Sequence, residues 1–222
     1  LSGSGVARVI CIDGPAGSGK STLAARLAAH FQLPFLDTGL LYRAVARRML
    51  DRGLDVADPA AAEREALALE PADVSGPCLR DDAVGQGASK VAAFPAVRAA
   101  LLPFQRRFAE QPGGAVLAGR DTGTVVCPQA PHKLYVTASV EARARRRFLE
   151  LQARGLAPIE ARVLDEMRER DRRDQGREVA PLAVAPDATV IDTTDLDADA
   201  AFRAALDAIG KNASVERPVV QP

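Results

Sequence analysis

The stretch "IDGPAGSGKSTLAARLAAHF", residues 12–31, decides the fold. It stands between the apolar, β-branched run "VARVICI" at 6–12 and a helical spacing of Leu23, Leu27, Ala28 and Phe31. A strand, a glycine-rich turn and a helix are therefore expected in immediate succession. The turn fits G-x-x-x-x-G-K-[ST], running through Gly14, Pro15, Ala16, Gly17, Ser18 and Gly19 to Lys20 and Ser21, with Thr22 next in the helix. Glycines let successive backbone N–H groups converge on an anion, and the helix N-terminus adds its positive end. Lys20 would reach the outer phosphates and Ser21 would offer a hydroxyl to Mg²⁺. The expected ligand of this loop is a nucleoside triphosphate. Pro15 has no N–H, so the other residues must build the cradle.

Further strands are expected in "LPFLDTG" ending at Asp37, "GAVLAGRD" (114–121), "HKLYVTA" (132–138) and "ATVIDTT" (188–194), each followed by helical periodicity. Nearly all-apolar strands alternating with helices imply a parallel sheet covered on both faces. Residues 55–94 break this rhythm and read as a small inserted unit, and 222 residues suffice for one domain with such an insert. "LSGSG" at the start and "VERPVVQP" at the end read as flexible ends, about 1–5 and 212–222.

The 29 Lys plus Arg balance the 29 Asp plus Glu, so no global field draws the chain to nucleic acid or to an anionic membrane. Three cysteines without metal-ligand spacing, and no long apolar run, point to a reducing, cytoplasmic setting. His30 and His132 read as helix-end and strand-start residues without a catalytic place.

A phosphate loop alone does not separate GTPases, motor ATPases and small-molecule kinases. The chain has no NKxD motif, "DTGT" at 121–124 does not fit DxxG, and no strand ends in paired Asp-Glu. It has instead many arginines: Arg43, Arg98, Arg120, and a run from Arg143 to Arg177. Guanidinium forks bind phosphates bidentately and neutralise a transferring phosphoryl group. A phosphorylated acceptor as well as a phosphorylated donor is therefore expected. Asp37, Arg120 and Asp121 fall at carboxyl ends of expected strands, where ligands gather in open parallel sheets.

"IDGPAGSGKSTLAARLA", "FLDTGLLYRAVA", "ASKVAAFPAVRAALLPFQRRFA", "GRDTGTVV" and "RERDRRDQGREVAPL" together resemble the bacterial cytidylate kinases, in family order from about residue 6 to residue 194. The resemblance implies a P-loop kinase three-layer α/β sandwich. Its features would be about five parallel strands, a small mostly helical insert for the nucleoside monophosphate, and a short lid about 151–162, where Gly155 and Pro158 interrupt two arginine-rich helices. The implied reaction is γ-phosphoryl transfer from ATP with Mg²⁺ to CMP or dCMP, by a monomer. By similarity Arg43, Arg120, Asp37 and Thr38 belong to the acceptor phosphate end, with Asp121 orienting arginines or a metal-bound water. Ser89 and Arg98 would read cytosine, and Arg170, Asp174 and Arg177 would contact sugar and base. Lid arginines Arg154 and Arg162 would join Lys20 on the transferring group.

The chain departs from the usual long form in a short segment between Arg43 and Ser89, without the alternating pattern of a small β-sheet. Gly85 and Gly87 predict a helix around Ser89 that starts late or flexes. Thr122 and Cys127 stand where larger apolar residues are expected, which reads as a packing change. Another small-molecule kinase and a non-catalytic nucleotide-gated module remain as alternatives.

Overall fold

The computed structural model describes residues 8–215. Strands β1 (Arg8–Asp13), β2 (Phe35–Asp37), β3 (Gly114–Gly119), β4 (His132–Thr137) and β5 (Thr189–Asp192) form one all-parallel sheet in the order β2-β3-β1-β4-β5. Eight helices surround it among the described residues: α1 (Lys20–Phe31), α2 (Thr38–Asp51), α3 (Pro59–Leu67), α4 (Asp82–Val91), α5 (Pro95–Ala109), α6 (Val140–Ala153), α7 (Glu160–Gln175) and α8 (Ala198–Val215). The expected α/β three-layer sandwich is the observed one, with limits of the strands differing by a residue or two from those expected among the described residues.

Period-two alternation of the strands builds the two outer layers. Ile10 and Ile12 of β1, Val116 and Ala118 of β3, and Leu134 and Val136 of β4 pack with α1 and α8. On the opposite face Ala115 and Leu117 of β3 pack with Leu36 and Ala109. All six residues of β3 are buried, so this strand is apolar throughout rather than alternating. Because β3 and β4 flank β1 on opposite sides, the strand order reverses there, and the loops after β1 and β3 open into one crevice.

The insert has its own core. Leu41, Val45 and Met49 of α2 meet Ala61, Ala62 and Ala66 of α3, Ala88 and Val91 of α4, and Val97 and Leu101 of α5. Alanine lets these short helices approach closely. Buried Glu65 is held by Arg48 at 2.9 Å and Arg52 at 2.7 Å. Between α3 and α4 lie only two 3₁₀ turns, Pro71–Val74 and Pro77–Arg80, and among residues 55–94 there is no strand.

The expectation of a late start for the helix around Ser89 is corrected: α4 is continuous from Asp82 and spans both glycines. A Cβ at Gly85 would lie 3.1 Å from Nη2 of Arg43, and one at Gly87 3.1 Å from Cβ of Ala46. The glycines trade helix propensity for close packing against α2, which also seats Arg43. At the other end, α8 continues to Val215, four residues into the stretch expected to be flexible. Residues 1–5 and 216–222 lie outside the described residues. No helix among the described residues is long and apolar enough to cross a membrane.

Leu117 is 0% exposed and Leu67 is 69% exposed. Leu117→Ala is expected to cost about 2–5 kcal/mol of unfolding free energy. Leu67→Ala should cost no more than about 0.5 kcal/mol. Urea denaturation of the two variants checks this, and equal costs would contradict the assigned core.

Candidate active site

The phosphate loop spans the β1–α1 connection. Gly14 has φ +153°, and a Cβ there would stand 2.0 Å from the carbonyl oxygen of Val136, so only glycine lets the loop lie directly on β4. Gly19, left-handed at φ 86°, caps α1. Arg143 of α6 braces the loop, donating from Nη1 to the Ala16 carbonyl at 3.2 Å, from Nε to the Ala138 carbonyl at 2.9 Å, and bidentately to Asp171. Lys20 is buried and donates to the Pro15 carbonyl at 3.0 Å. Burial, with Arg120 adding repulsion, holds its ammonium well below the usual lysine range. An incoming polyphosphate would supply the missing countercharge. Ser21 is half-buried in the first turn of α1, and Thr22 lines the adjoining cavity.

That cavity, of about 300 Å³, lies between the N-terminal end of α1 and the β5–α8 connection. Ser18, Gly19, Thr22, Arg26, Arg146, Thr193 and Asp197 are among its lining residues. Arg146 donates to the carbonyl oxygen of Thr193 and, at 3.1 Å, to its hydroxyl, while that hydroxyl donates to the Ser18 carbonyl at 3.0 Å. The cavity adjoins the phosphate loop and suits the base and sugar of a nucleotide. Ser18, Gly19 and Thr22 were expected at the donor and Arg146 stood only within the arginine run, but Arg26, Thr193 and Asp197 were not singled out in the sequence, because no short motif joins them to the loop.

A second pocket opens on the other side of the loop, where β3, α2, α4, α5 and α7 converge. Thr38, Tyr42, Arg43, Ser89, Arg98, Arg120, Asp121, Arg170, Asp174 and Arg177 all line it. Every residue expected at the acceptor is therefore here except Asp37, which caps α2 by accepting from the Gly39 N–H at 3.0 Å. Thr38 turns its hydroxyl to the Ala118 carbonyl at 2.9 Å and so ties α2 to β3.

Asp174 is the hub. One oxygen accepts from Nε of Arg120 at 2.8 Å; the other accepts from Arg177 and, at 3.4 Å, from the hydroxyl of Ser89. Burial would raise its pKa, but Arg120, Arg177 and Arg170 outweigh that and hold the carboxyl well below the usual range. Asp121, next to Arg120 in sequence, accepts from Arg98, which also donates to the Ala92 carbonyl at 3.1 Å and lies 5.4 Å from the ring centroid of Tyr42. Tyr42 was not singled out in the sequence. Its place one residue before Arg43, on the buried stripe of α2, was the available signal.

Arg43 donates to the Leu79 carbonyl at 2.7 Å. Arg170 makes no hydrogen bond or ion pair among the described residues, and its Nε is buried without a partner. Burial, then the like charge of Arg120, disfavours its cationic form. Asp174 lies near enough to favour its charge but does not pair with it, so Arg170 has no hydrogen-bonded anion among the described residues. Five arginines against two aspartates leave a formal surplus of +3.

Two expected residues lie elsewhere. Arg162, in the first turn of α7, points outward with its side chain 77% exposed and pairs with Glu166 one turn on. Arg154, at the end of α6, donates to the Arg80 carbonyl at 3.0 Å and to Asp81 at 3.4 Å. Neither lines the arginine-rich pocket in this structure. Helix phase turns one to solvent, and the insert engages the other.

Asp13 is a further buried group without a place in the sequence reading. Three donors of Thr122 and Gly123 surround its carboxylate, and burial pushes its pKa up to about 6 against their pull.

Among the described residues no cluster of three His, Cys, Asp or Glu side chains is placed to hold a metal ion by itself. His30 stacks edge-on with Phe31 and Phe202, and His132 is buried at the start of β4.

Comparison with known proteins agrees with this geometry. Residues 10–211 match the family model described as cytidylate kinase. The chain is 60% identical over 205 residues to a cytidylate kinase of Paramagnetospirillum magneticum, covering 91% of this chain and 97% of that protein. It is 59% identical to one of Methylocella silvestris (89% and 92% covered) and 57% identical to one of Acidiphilium cryptum (91% and 95%). A solved structure of an uncharacterized protein from Eubacterium ventriosum shares the fold, with TM-score 0.52, 16% identity, and coverage of 91% of this chain and 98% of that one. With the phosphate loop, the arginine-lined pocket and a family match over nearly its whole length, the chain belongs to the cytidylate kinase family.

Proposed function

We propose that the chain transfers the γ-phosphoryl group of ATP to CMP or dCMP, with the donor on the phosphate loop and the acceptor in the Asp174 pocket. The observation that carries this reading is the uncompensated arginine surplus beside Lys20. A nucleotide 5′-phosphate brings roughly −2 charge. It would draw Arg120, Arg177 and Arg43 onto its oxygens, replacing the internal pairs with charge-assisted bonds.

At the base end Arg98 and Ser89 supply donors for the cytosine carbonyl and ring nitrogen, while Asp121 accepts from the exocyclic amino group. Uracil presents an acceptor where cytosine has that donor. An unpaired buried polar group costs about 1–3 kcal/mol, so UMP is disfavoured by roughly ten- to a hundredfold. Tyr42 supports the guanidinium of Arg98 from one side.

Transfer itself is positioning and charge neutralisation, since an acceptor phosphate oxygen is already anionic and requires no general base. Lys20 holds the β- and γ-phosphates. Arg170, unpartnered and flanked by Lys20, Arg120 and Arg43, takes the role first assigned to the lid arginines and neutralises the group in flight. The hydroxyl of Ser21 is a hard oxygen donor that fits Mg²⁺, with phosphate oxygens and water completing the shell. Bound with ATP, that ion would reduce repulsion at the β- and γ-phosphates.

The α6–α7 connection around Gly155 serves as a lid and residues 55–94 as the acceptor-covering insert. Arg154 of the lid reaches the insert at the Arg80 carbonyl, 3.0 Å away, and the flanking helices α6 and α7 are tied to the insert by Arg147 with Asp82 at 2.7 Å and by Arg173 with Gln86 at 3.1 Å. The two pockets are each lined by residues of a single chain, so the proposed reaction needs no second copy to complete its site.

Release of ADP from ATP·Mg²⁺ is expected to be fast with CMP and dCMP, slow with UMP and at background with AMP, shikimate or gluconate. Turnover with another acceptor would overturn the pocket assignment, and acceptor-independent hydrolysis would overturn the kinase reading. Lys20→Ala should abolish turnover while leaving the circular dichroism spectrum unchanged. Arg170→Ala should lower kcat by about a hundredfold or more. Arg162→Ala should leave kcat within about twofold. Steady-state kinetics of this pair separates the two arginines, and the reverse order would return the phosphoryl contact to the lid.

A further inference from the structure

Asp13 ends β1, is 5% exposed, and has both carboxylate oxygens engaged. Oδ1 accepts from the Thr122 N–H at 2.8 Å and the Thr122 hydroxyl at 2.9 Å, and Oδ2 accepts from the Gly123 N–H at 2.8 Å. These donors open the turn Thr122–Val126, directly after Arg120 and Asp121. On its other side Asp13 is joined to Gly14, the first residue of the phosphate loop. A single side chain therefore spans the two phosphate-gripping elements.

The surroundings leave this contact little play. Asp13 stands in register with Gly119 in the β1–β3 ladder. A Cβ on Gly123 would lie 3.2 Å from the stem of Lys133 and 3.5 Å from Oδ2 of Asp13, so the turn is seated between the two. Lys133 is itself fixed by the Pro128 carbonyl at 2.7 Å and by Asp187. Thr122 is thus more than a packing change, because its hydroxyl supplies one of the three bonds to Asp13.

A buried carboxylate is a costly way to pin a strand end, because burial disfavours its charge even with three donors around it. What ionic hydrogen bonds add is fixed distance and direction.

We infer that Asp13 is a positioning residue for phosphoryl transfer, setting the alignment of the donor loop with Arg120 and Asp121 through the Thr122–Gly123 turn and touching neither substrate. The inference rests on the CMP kinase reading above. Asp13→Asn keeps the volume but removes the charge and one acceptor. Each substrate keeps its own cradle, so the deficit falls on the step that needs both cradles aligned.

The test measures kcat at saturating ATP and CMP together with equilibrium dissociation constants for CMP and a non-hydrolysable ATP analogue. Asp13→Asn is expected to lose kcat by at least about tenfold while both constants stay within about threefold. Thr122→Val should lose kcat by about two- to fivefold, with Thr122→Ser restoring it. A kcat for Asp13→Asn within about twofold of wild type overturns the inference. So does a parallel loss of both affinities and of melting temperature, the signature of a merely structural role. Should Asp13→Asn fail to fold, the Thr122 pair decides, and an unchanged kcat in Thr122→Val overturns the inference. Wild-type protein that does not turn over CMP overturns the underlying reading, and the inference with it, whatever the variants do.

Discussion

The carboxylate of Asp174 is the point on which the acceptor side of the molecule depends. It sits near the end of α7, yet through Arg120, Ser89 and Arg177 it joins the end of β3, the insert helix α4 and the segment after α7. Its backbone carbonyl also accepts from the Leu182 N–H at 2.8 Å. Removing a single partner from so buried a cluster leaves charge without compensation, whereas the intact cluster adds little that apolar packing would not. Stability therefore does not explain it. The proposed function supplies an explanation by exchange: guanidinium groups already gathered and desolvated around one carboxylate would turn onto an acceptor phosphate.

This reconciles a chain of zero formal charge with an anion-binding function. The positive charge is concentrated rather than excess, and the compensating acids lie on outward helix faces, as Glu166 does beside Arg162. The donor side follows the same logic. Lys20 is buried against a backbone carbonyl, with its charge disfavoured until polyphosphate arrives. Both halves of the site hold positive groups without full countercharge, opposite in sign to the proposed ligands, and the β1–β3 ladder keeps them adjacent.

Much of this was legible in the sequence, for physical reasons that differ by residue. The phosphate loop was readable because its constraint is local: Gly14 has no room for a side chain and Gly19 must adopt a left-handed backbone. Arg43, Ser89, Arg98, Arg120 and Asp174 were readable through motifs in family order. The arginine-rich α7 was harder, because composition does not give helix phase. Val163 and Met167 are buried and mark the inward stripe, and continuing it at helical spacing reaches Arg170 and Asp174, while Arg162 falls off it. That stripe was the signal that distinguishes Arg170 from Arg162. Asp13 and the set of Arg26, Arg146 and Thr193 were not legible, since the contacts of Asp13 with Thr122 and of Thr193 with Ser18 span 109 and 175 residues and that of Arg146 with Thr193 spans 47, with strand order bringing each together. Gly85 misled in the other direction: its helix-breaking tendency was real, but the guanidinium of Arg43 needed the space.

The most direct test of the account is calorimetric titration of the protein with CMP and with cytidine at low and moderate salt. If the arginine surplus around Asp174 is the acceptor phosphate site, CMP binds at least about a hundredfold more tightly than cytidine. The difference then shrinks as salt rises. Equal affinity for the two ligands would contradict the account, because it would mean that the pocket reads a nucleoside and that its arginines serve some other anion.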